Sequence, residues 1–164
     1  MRHAKSDWSS DAATDFDRPL AKRGRKDAPR MGRWLNKHGL VPDKIISSPA
    51  RRTRETAVLA AAAMGFPEPD IIWDKQIYDG SLQDLLEVIN RYQGDARTFM
   101  LIAHNPGLDA LLEFLSGDSV TYSDTGKLMT TAAVAVLDFG SQTVTTTASG
   151  ARLKDLVRPR ELDD

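Results

Sequence analysis

The sequence predicts an α/β fold in which helices cover both faces of a mostly parallel sheet. Strand-like and helix-like segments alternate along the chain, which is typical of βαβ units. The run Phe99–Ile102 is apolar at every position, as expected of a central strand that is buried on both faces. We therefore expect a three-layer α/β/α sandwich formed by a single domain, residues 1–164, with an antiparallel hairpin towards its C-terminus.

Four helices are predicted from apolar positions that repeat with helical spacing and from residues typical of helix ends. Ser81 is a typical N-cap before the third helix, and Gly65 is a typical stop after the second. Pro29 falls inside the first helix, so we expect a kink or a late start there. The predicted helices cover residues 20–37, 49–64, 82–92 and 106–116.

Short apolar runs bounded by turn residues predict the strands. These runs cover residues 44–48, 71–73, 98–103, 132–139 and 142–148. Gly140-Ser141 is expected to form a two-residue hairpin turn between the last two strands. The final residues, including 156–160, are expected to form a tail or a short docking segment. The strand that should lead into Arg2-His3 is absent or reduced to Met1, so either the natural chain starts upstream or a stub suffices.

Composition excludes several classes of function. The formal net charge of −1 indicates neither nucleic acid nor a membrane as a partner. The absence of cysteine excludes disulfides, thiolate metal sites and a cysteine nucleophile. Three histidines without an HxH or HExxH spacing give little support for a metal site. No membrane-length apolar run or signal peptide is evident, so we expect a cytoplasmic protein. We also expect a monomer.

Basic side chains from distant parts of the chain are predicted to meet at one edge of the sheet. His3 lies where the first strand is expected to end, Arg52 lies in the first turn of the second helix, and His104 follows the central strand. Ligands of such sheets bind beyond the carboxyl ends of the strands. The helix starts after Pro49 and Pro106 would add backbone N–H groups that favour an anion.

Each of these residues also has a purely structural interpretation. Arg2 and Arg52 could be solvated surface charges, His3 could be a core or surface histidine, and His104 could cap a helix. Taken singly, the structural interpretation is favoured, because short motifs match by chance. Taken together, one phosphate pocket explains all four residues, and we favour that hypothesis.

Two motifs carry a resemblance to a known family. Arg2-His3-Ala4-Lys5 resembles the RHG-type motif of the histidine phosphatase superfamily, with alanine in place of the usual glycine. The sequence SPARRTRETA, residues 48–57, is similar to the SPxxRAxQTA helix start of that superfamily. On this match Arg52, and not Arg51, is the phosphate-binding arginine. Thr53 and Glu55 stand where alanine and glutamine are usual.

Two further segments indicate the SixA-like branch of the superfamily. The sequence IAHNP, residues 102–106, resembles the second histidine motif in its SixA-type form, and DRPLAKRG, residues 17–24, is similar to an RPLTxxG segment. The resemblance extends from residue 2 to about residue 158. It implies a phosphoglycerate-mutase-like fold.

The resemblance also implies a mechanism. His3 attacks phosphorus and becomes phosphorylated, while Arg2, Arg52 and His104 hold the phosphoryl oxygens. The other ring nitrogen of His3 should donate to a backbone carbonyl. Water then hydrolyses the phosphohistidine. No metal or other cofactor is required, because cationic side chains take its place.

Three more residues are candidates for the site. Arg18 and Asn105 are expected to contact the substrate. Asp79, just before the third helix, is the candidate proton donor for the leaving group. The alternative is that Asp79 caps or solvates the turn that it forms with Gly80, and both interpretations stay open.

The expected function is that of a phosphatase that acts on a phosphate-bearing substrate, and the resemblance favours phosphohistidine on a partner protein as that substrate. A small-molecule phosphomonoesterase is the first alternative, since an open pocket admits many substrates. A phosphoprotein-binding module without turnover is the second. The presence of His3 argues against that module, because pure binding would not need a nucleophile.

Overall fold

A parallel sheet flanked by helices forms the centre of the computed structural model, which describes residues 1–117, 120–123, 125–141, 144 and 150–162. Within these residues the α-helices are α1 (Lys22–Lys37), α2 (Arg51–Met64), α3 (Leu82–Tyr92) and α4 (Gly107–Ser116). The strands are β1 (Lys44–Ser47), β2 (Ile72–Trp73), β3 (Phe99–Ile102), β4 (Val134–Asp138) and β5 (Arg152–Val157). Short 3-10 turns cover Glu68–Asp70, Lys75–Ile77 and Pro159–Glu161.

The parallel sheet has the strand order β2-β1-β3. Successive residues of β1 point to opposite faces of the sheet. Ile45 belongs to the apolar core formed with α1 and α2, whereas Ile46 belongs to the core formed with α3 and α4. Helices therefore cover both faces, and the predicted three-layer α/β/α sandwich is confirmed.

The first three residues lie in extended conformation between the two sheets. Arg2 forms a parallel bridge with Ala103, directly after β3, and its amide donates to the carbonyl oxygen of Ala133 at 3.0 Å. The amide of His3 donates to the carbonyl oxygen of Ala103, also at 3.0 Å. This stub takes the place of the expected first strand. It puts His3 at the edge of the sheet where β3 ends.

Strands β4 and β5 form a separate antiparallel pair. β3 and β4 face each other across a cavity of about 670 Å³ whose lining includes Met1, Phe99 and Val136. The backbone hydrogen bonds of Arg2 and His3 link the two sheets at one end of this cavity. The antiparallel component of the fold is thus confirmed.

The strand that pairs with β4 differs from the prediction. β4 pairs with β5, and Val134 lies opposite Val157. The expected tail or docking segment starts inside this strand, because residues 152–157 form β5. The 3-10 turn Pro159–Glu161 then packs against α1, which agrees with a docking segment and not with a tail. A bulge interrupts the pairing, so that Leu153 and Leu156 both pack against the same apolar cluster. The bulge breaks the alternation by which a half-buried strand is identified in a sequence.

Most of the predicted strand 142–148 lies outside the described residues. Val144 is described and belongs to no strand. Gly140 and Ser141 form a turn. They do not connect β4 directly to its partner, because β5 starts at Arg152.

The helix ends follow the predictions closely. Ser81 and Asp84 form a reciprocal capping box at the start of α3, and Gly65 ends α2 in the left-handed region with a φ of 77°. α1 starts at Lys22 and continues through Pro29, so the predicted late start was wrong. None of the described helices is both long and apolar enough to cross a membrane.

Gly24 holds α1 close to the chain that follows His3. A Cβ atom at this position would overlap the carbonyl oxygen of Lys5. The amide of Ala21 donates to the same oxygen at 2.9 Å. Only glycine permits so close an approach, and α1 is therefore fixed against the segment that carries the first histidine.

Candidate active site

His3 is held in one orientation by its own backbone. Its Nδ1 lies 2.8 Å from the carbonyl oxygen of Ala4. A carbonyl oxygen only accepts, so Nδ1 carries the proton and Nε2 keeps its lone pair. The side chain is buried, and burial lowers the pKa of His3 to about 3, with smaller contributions from His104 and Arg2. His3 is therefore a neutral imidazole with an unprotonated Nε2 near pH 7.

Helix α2 fixes the position of the segment that carries His3. The amide of Ala4 donates to Oγ1 of Thr56 at 2.9 Å. The hydroxyl of Thr56 in turn donates to the carbonyl oxygen of Arg52 at 2.7 Å. His3 and Arg52 are therefore connected through a short chain of buried hydrogen bonds.

His104 follows β3, as predicted, and its ring lies beside that of His3 with 5.2 Å between the ring centroids. Nη2 of Arg52 donates to Nδ1 of His104 at 3.3 Å, which places the His104 proton on Nε2. Nε2 lies 2.8 Å from Oγ of Ser48 and 3.1 Å from Oγ1 of Thr53. Burial and the Arg52 charge lower the pKa of His104 to about 4.

The expectation that His104 is cationic therefore does not hold for this structure. The ring is neutral near pH 7, because it is buried beside a guanidinium. A dianion bound against it would favour the charged form and raise the pKa. Ser48 and Thr53 were not assigned a role from the sequence, and Thr53 stood out only as a departure from the family motif.

Arg52 is buried and reaches the site, whereas Arg51 does not. The side chain of Arg52 is 6% exposed and contacts His104 as well as Asp15. Arg51 is exposed and pairs with Glu55 one helical turn away, with 3.0 Å between Nε and Oε1. The structure thus brings together the arginine that the motif comparison selected and the second histidine.

Arg2 and Asn105 meet at one carbonyl oxygen. Nη1 of Arg2 donates to the carbonyl oxygen of Met129 at 2.9 Å, and Nδ2 of Asn105 donates to the same atom at 3.1 Å. The Met129 amide donates to Asp109 at 3.0 Å. Burial lowers the pKa of Arg2, but a guanidinium stays charged at any physiological pH.

Asp15 connects two of the predicted phosphate-binding arginines, and sequence reasoning missed it. Its Oδ1 accepts from Nη2 of Arg18 at 2.8 Å, and its Oδ2 accepts from Nη2 of Arg52 at 3.0 Å. The Tyr78 hydroxyl also donates to Oδ2, at 3.0 Å. Hydrogen bonding by Arg18 is the main cause that lowers the pKa of Asp15 to about 2. Its only sequence signal was a turn-rich segment.

Tyr78 is a second residue that was not given a role. Its ring lies edge-on to that of His104, with centroids 5.5 Å apart, and edge-on to that of Phe16 at 5.0 Å. Tyr78 precedes Asp79, the residue that drew attention in the sequence. The contacts of Tyr78 depend on a loop that is distant in the chain, so no local pattern indicates them.

Asp79 lies near the site without a hydrogen bond to it. The residue is exposed and has a φ of 53°, which is uncommon for a residue with a side chain. It lines a cavity of about 290 Å³ together with His104 and Asn105. The N-cap of α3 is Ser81, the residue that follows the turn of Asp79 and Gly80. The turn and the proton-donor interpretations are both compatible with this position.

The site is rich in positive charge. Within the part of the chain that the structure describes, the buried Nε atoms of Arg2, Arg18 and Arg52 have no acceptor. The described part of the chain contains no cluster of three or more histidine, cysteine, aspartate or glutamate side chains that could hold a metal ion. Guanidinium groups grouped around an imidazole form a setting suited to a phosphoryl group.

Comparisons with known proteins agree with this geometry. Residues 1–80 match the model of the histidine phosphatase superfamily, branch 1. An uncharacterized, chloroplastic protein of Arabidopsis thaliana is 34% identical over 171 residues, which cover 97% of this chain and 76% of that protein.

Solved structures give the same result. The candidate phosphohistidine phosphatase SixA of Agrobacterium tumefaciens is 28% identical, with a TM-score of 0.79 over 97% of this chain and 95% of that one. Its counterpart from Nakamurella multipartita is 27% identical, with a TM-score of 0.74 over 97% and 93%. The similarity thus extends over almost the whole of each chain. The protein belongs to the histidine phosphatase superfamily, as a SixA-like phosphatase.

Proposed function

We propose that the protein hydrolyses phosphohistidine on a partner protein through a phosphohistidine intermediate at His3. The observation that carries this proposal is the hydrogen bond from Nδ1 of His3 to the carbonyl oxygen of Ala4. It leaves the Nε2 lone pair available in a ring that burial keeps neutral. A histidine prepared in this way is a nucleophile, whereas a module that only binds phosphate would gain more from a charged ring.

The reaction has two steps. Nε2 of His3 attacks phosphorus, the bond between phosphorus and the leaving group breaks, and the leaving group takes the electron pair. Water then attacks the phosphorus of phosphorylated His3, the P–N bond breaks, and its electron pair returns to Nε2. Inorganic phosphate leaves with the oxygen and the protons of the water molecule. Arg2, Arg52 and His104 stabilise the phosphoryl oxygens in both steps. The arginines supply the positive charge, so EDTA should leave the activity intact.

The substrate class follows from the chemistry of the leaving group. A protonated phosphohistidine releases neutral imidazole, whose conjugate acid has a pKa of only about 6.5, so it requires little help from an acid. This fits a site in which the candidate donor, Asp79, has no hydrogen-bond partner among the described residues. Arg18 and Asn105 complete the substrate contacts in this proposal. A monomeric state and a cytoplasmic location stay predictions from the sequence.

A small-molecule phosphomonoesterase is the second candidate. The cavity of about 290 Å³ beside His104 favours it, because a small leaving group could enter there and meet Asp79. An alkoxide is strongly basic and needs a proton as it leaves. The role of Asp79 therefore distinguishes the two substrate classes.

His3→Ala should abolish turnover and the phosphoenzyme, because no other ring nitrogen occupies its position. The measurement is trapping of an acid-labile, base-stable phosphoenzyme together with the rate of phosphate release. His38→Ala is the matched control, since His38 is exposed and contacts Trp34 of its own helix, with its Nδ1 2.7 Å from the carbonyl oxygen of that residue. Equal trapping in the His3→Ala chain would refute the assignment.

Arg52→Ala should reduce kcat/KM by about 30- to 1,000-fold, because a desolvated charge on the phosphoryl group is lost. Arg51→Ala is the control on the same helix turn and should change kcat/KM little, since its partner is Glu55 at the surface. Steady-state kinetics with one phosphorylated substrate suffices. Retention of more than half of the activity in the Arg52→Ala chain would be incompatible with the proposed cradle.

Asp79→Asn should barely change hydrolysis of a phosphohistidine protein and should depress hydrolysis of alkyl phosphates, because only the alkoxide needs a proton. The measurement is kcat/KM of wild type and variant on both substrates between pH 5 and 8. Wild type should prefer the phosphohistidine protein over sugar phosphates. An equal, large loss on both substrates would contradict the phosphohistidine proposal, and no loss on either would remove Asp79 from the mechanism.

A further inference from the structure

The two arginines on one side of the cradle are already bound to an anion that belongs to the chain. Asp15 accepts from Nη2 of Arg18 and from Nη2 of Arg52 through its two carboxylate oxygens. The carbonyl oxygen of Asp15 also accepts from Nη1 of Arg52 at 2.7 Å. Three of the four terminal nitrogens of these two arginines, Nη2 of Arg18 and both of Arg52, therefore donate to Asp15.

Burial differs sharply between the partners. The side chains of Arg52 and Arg18 are 6% and 9% exposed, whereas that of Asp15 is 49% exposed. Two guanidinium groups that are removed from water require an anion nearby, because an uncompensated buried charge is costly. Asp15 could return to water at little cost, but the arginines could not.

The segment that carries Asp15 is a loop with a closed base. We name residues 7–19 the Asp15 loop; it contains no helix or strand. An antiparallel bridge between Ser6 and Leu20 closes its base, and the amide of Asp7 donates to the carbonyl oxygen of Pro19 at 2.8 Å. Loops of this kind, with ends close together, are compact surface units that are often functional. The amide of Arg51 also holds the loop at the carbonyl oxygen of Phe16, at 2.9 Å, so an exchange of Asp15 for another anion requires only its exposed side chain to move.

We propose that Asp15 is a built-in counter-anion that the phosphoryl group displaces from Arg18 and Arg52, and that this exchange determines which anions the cradle accepts. When a monoanion replaces the Asp15 carboxylate, the negative charge beside the two guanidinium groups does not change. A terminal phosphoryl dianion adds one unit of negative charge there. The exchange selects dianionic phosphoryl groups over phosphodiesters and weakens retention of the phosphate product. The inference rests on the proposed function, since it concerns the same cradle.

The test is direct binding of inorganic phosphate and of vanadate, measured by titration calorimetry at neutral pH and low salt. Asp15→Asn should bind both anions about ten- to a hundredfold more tightly than wild type, because one competing unit charge is removed. It should also bind nitrate, a monoanion, with a measurable affinity that wild type lacks. Asp17→Asn is the matched control, because Asp17 lies on the same loop and accepts only from the Thr14 hydroxyl in the described residues.

Unchanged or weaker anion binding in Asp15→Asn would overturn the proposal and would make Asp15 a residue that positions Arg52. Binding is measured without turnover, so the result does not depend on the proposed phosphatase activity: a chain that hydrolyses no phosphohistidine could still show the exchange. Conversely, failure of the exchange would leave the His3 assignment intact.

A second measurement uses the wild-type chain and does not require the variant to fold. The guanidinium of Arg18 lies 3.7 Å from the ring centroid of Trp8, which is 73% exposed. Displacement of Asp15 from Arg18 should change Trp8 fluorescence as phosphate binds, and Trp8→Phe should lose this change. Phosphate binding without any change in Trp8 emission would contradict displacement.

Discussion

The site depends on one hydrogen bond, from Nδ1 of His3 to the carbonyl oxygen of the next residue. It determines the tautomer, and the tautomer determines which nitrogen can attack phosphorus. The hydrogen bond in turn requires a fixed backbone at Ala4. Thr56 of α2 holds the Ala4 amide, and the close approach of Gly24 holds the chain at Lys5. The contacts of Thr56 and Gly24 with the segment that follows His3 thus help to fix the orientation of the His3 ring.

The buried arginines around His3 and His104 are unfavourable for folding and favourable for binding an anion. His3 and His104 are kept neutral by burial among arginines, so protonation of either ring is disfavoured in the folded chain. Arg2 has a carbonyl oxygen as its hydrogen-bond partner, and Arg52 relies on a half-exposed carboxylate. In the proposed function, an incoming phosphoryl dianion would compensate these buried positive charges. Binding of such a dianion would therefore lower the electrostatic cost of the buried arginines, as expected of a site prepared for a developing negative charge.

The sequence was informative wherever the physics is local or periodic. Helix ends such as Ser81 and Gly65 follow from capping chemistry. The convergence of His3, Arg52 and His104 follows from the rule that parallel strands present their carboxyl ends at one edge. The choice of Arg52 over Arg51 came from the family motif, and burial on α2 agrees with it.

What the sequence did not reveal depends on tertiary contacts. β5 escaped notice because a bulge breaks its alternation. Asp15 and Tyr78 escaped notice because a loop and a distant turn must meet before either residue touches an arginine or His104. Thr53 departs from the family motif, and the contact of its hydroxyl with Nε2 of His104, at 3.1 Å, depends on the position of a residue 51 places further along the chain.

The protonation state of His3 tests the central claim most directly. Long-range ¹H–¹⁵N correlation of the histidine rings, with His3 assigned by comparison with the His3→Ala chain, reports which nitrogen carries the proton and how it titrates. The account predicts a proton on Nδ1, none on Nε2, and no titration of His3 between pH 5 and 8. A His3 that titrates near the ordinary value of about 6.5, or that carries its proton on Nε2, would contradict it.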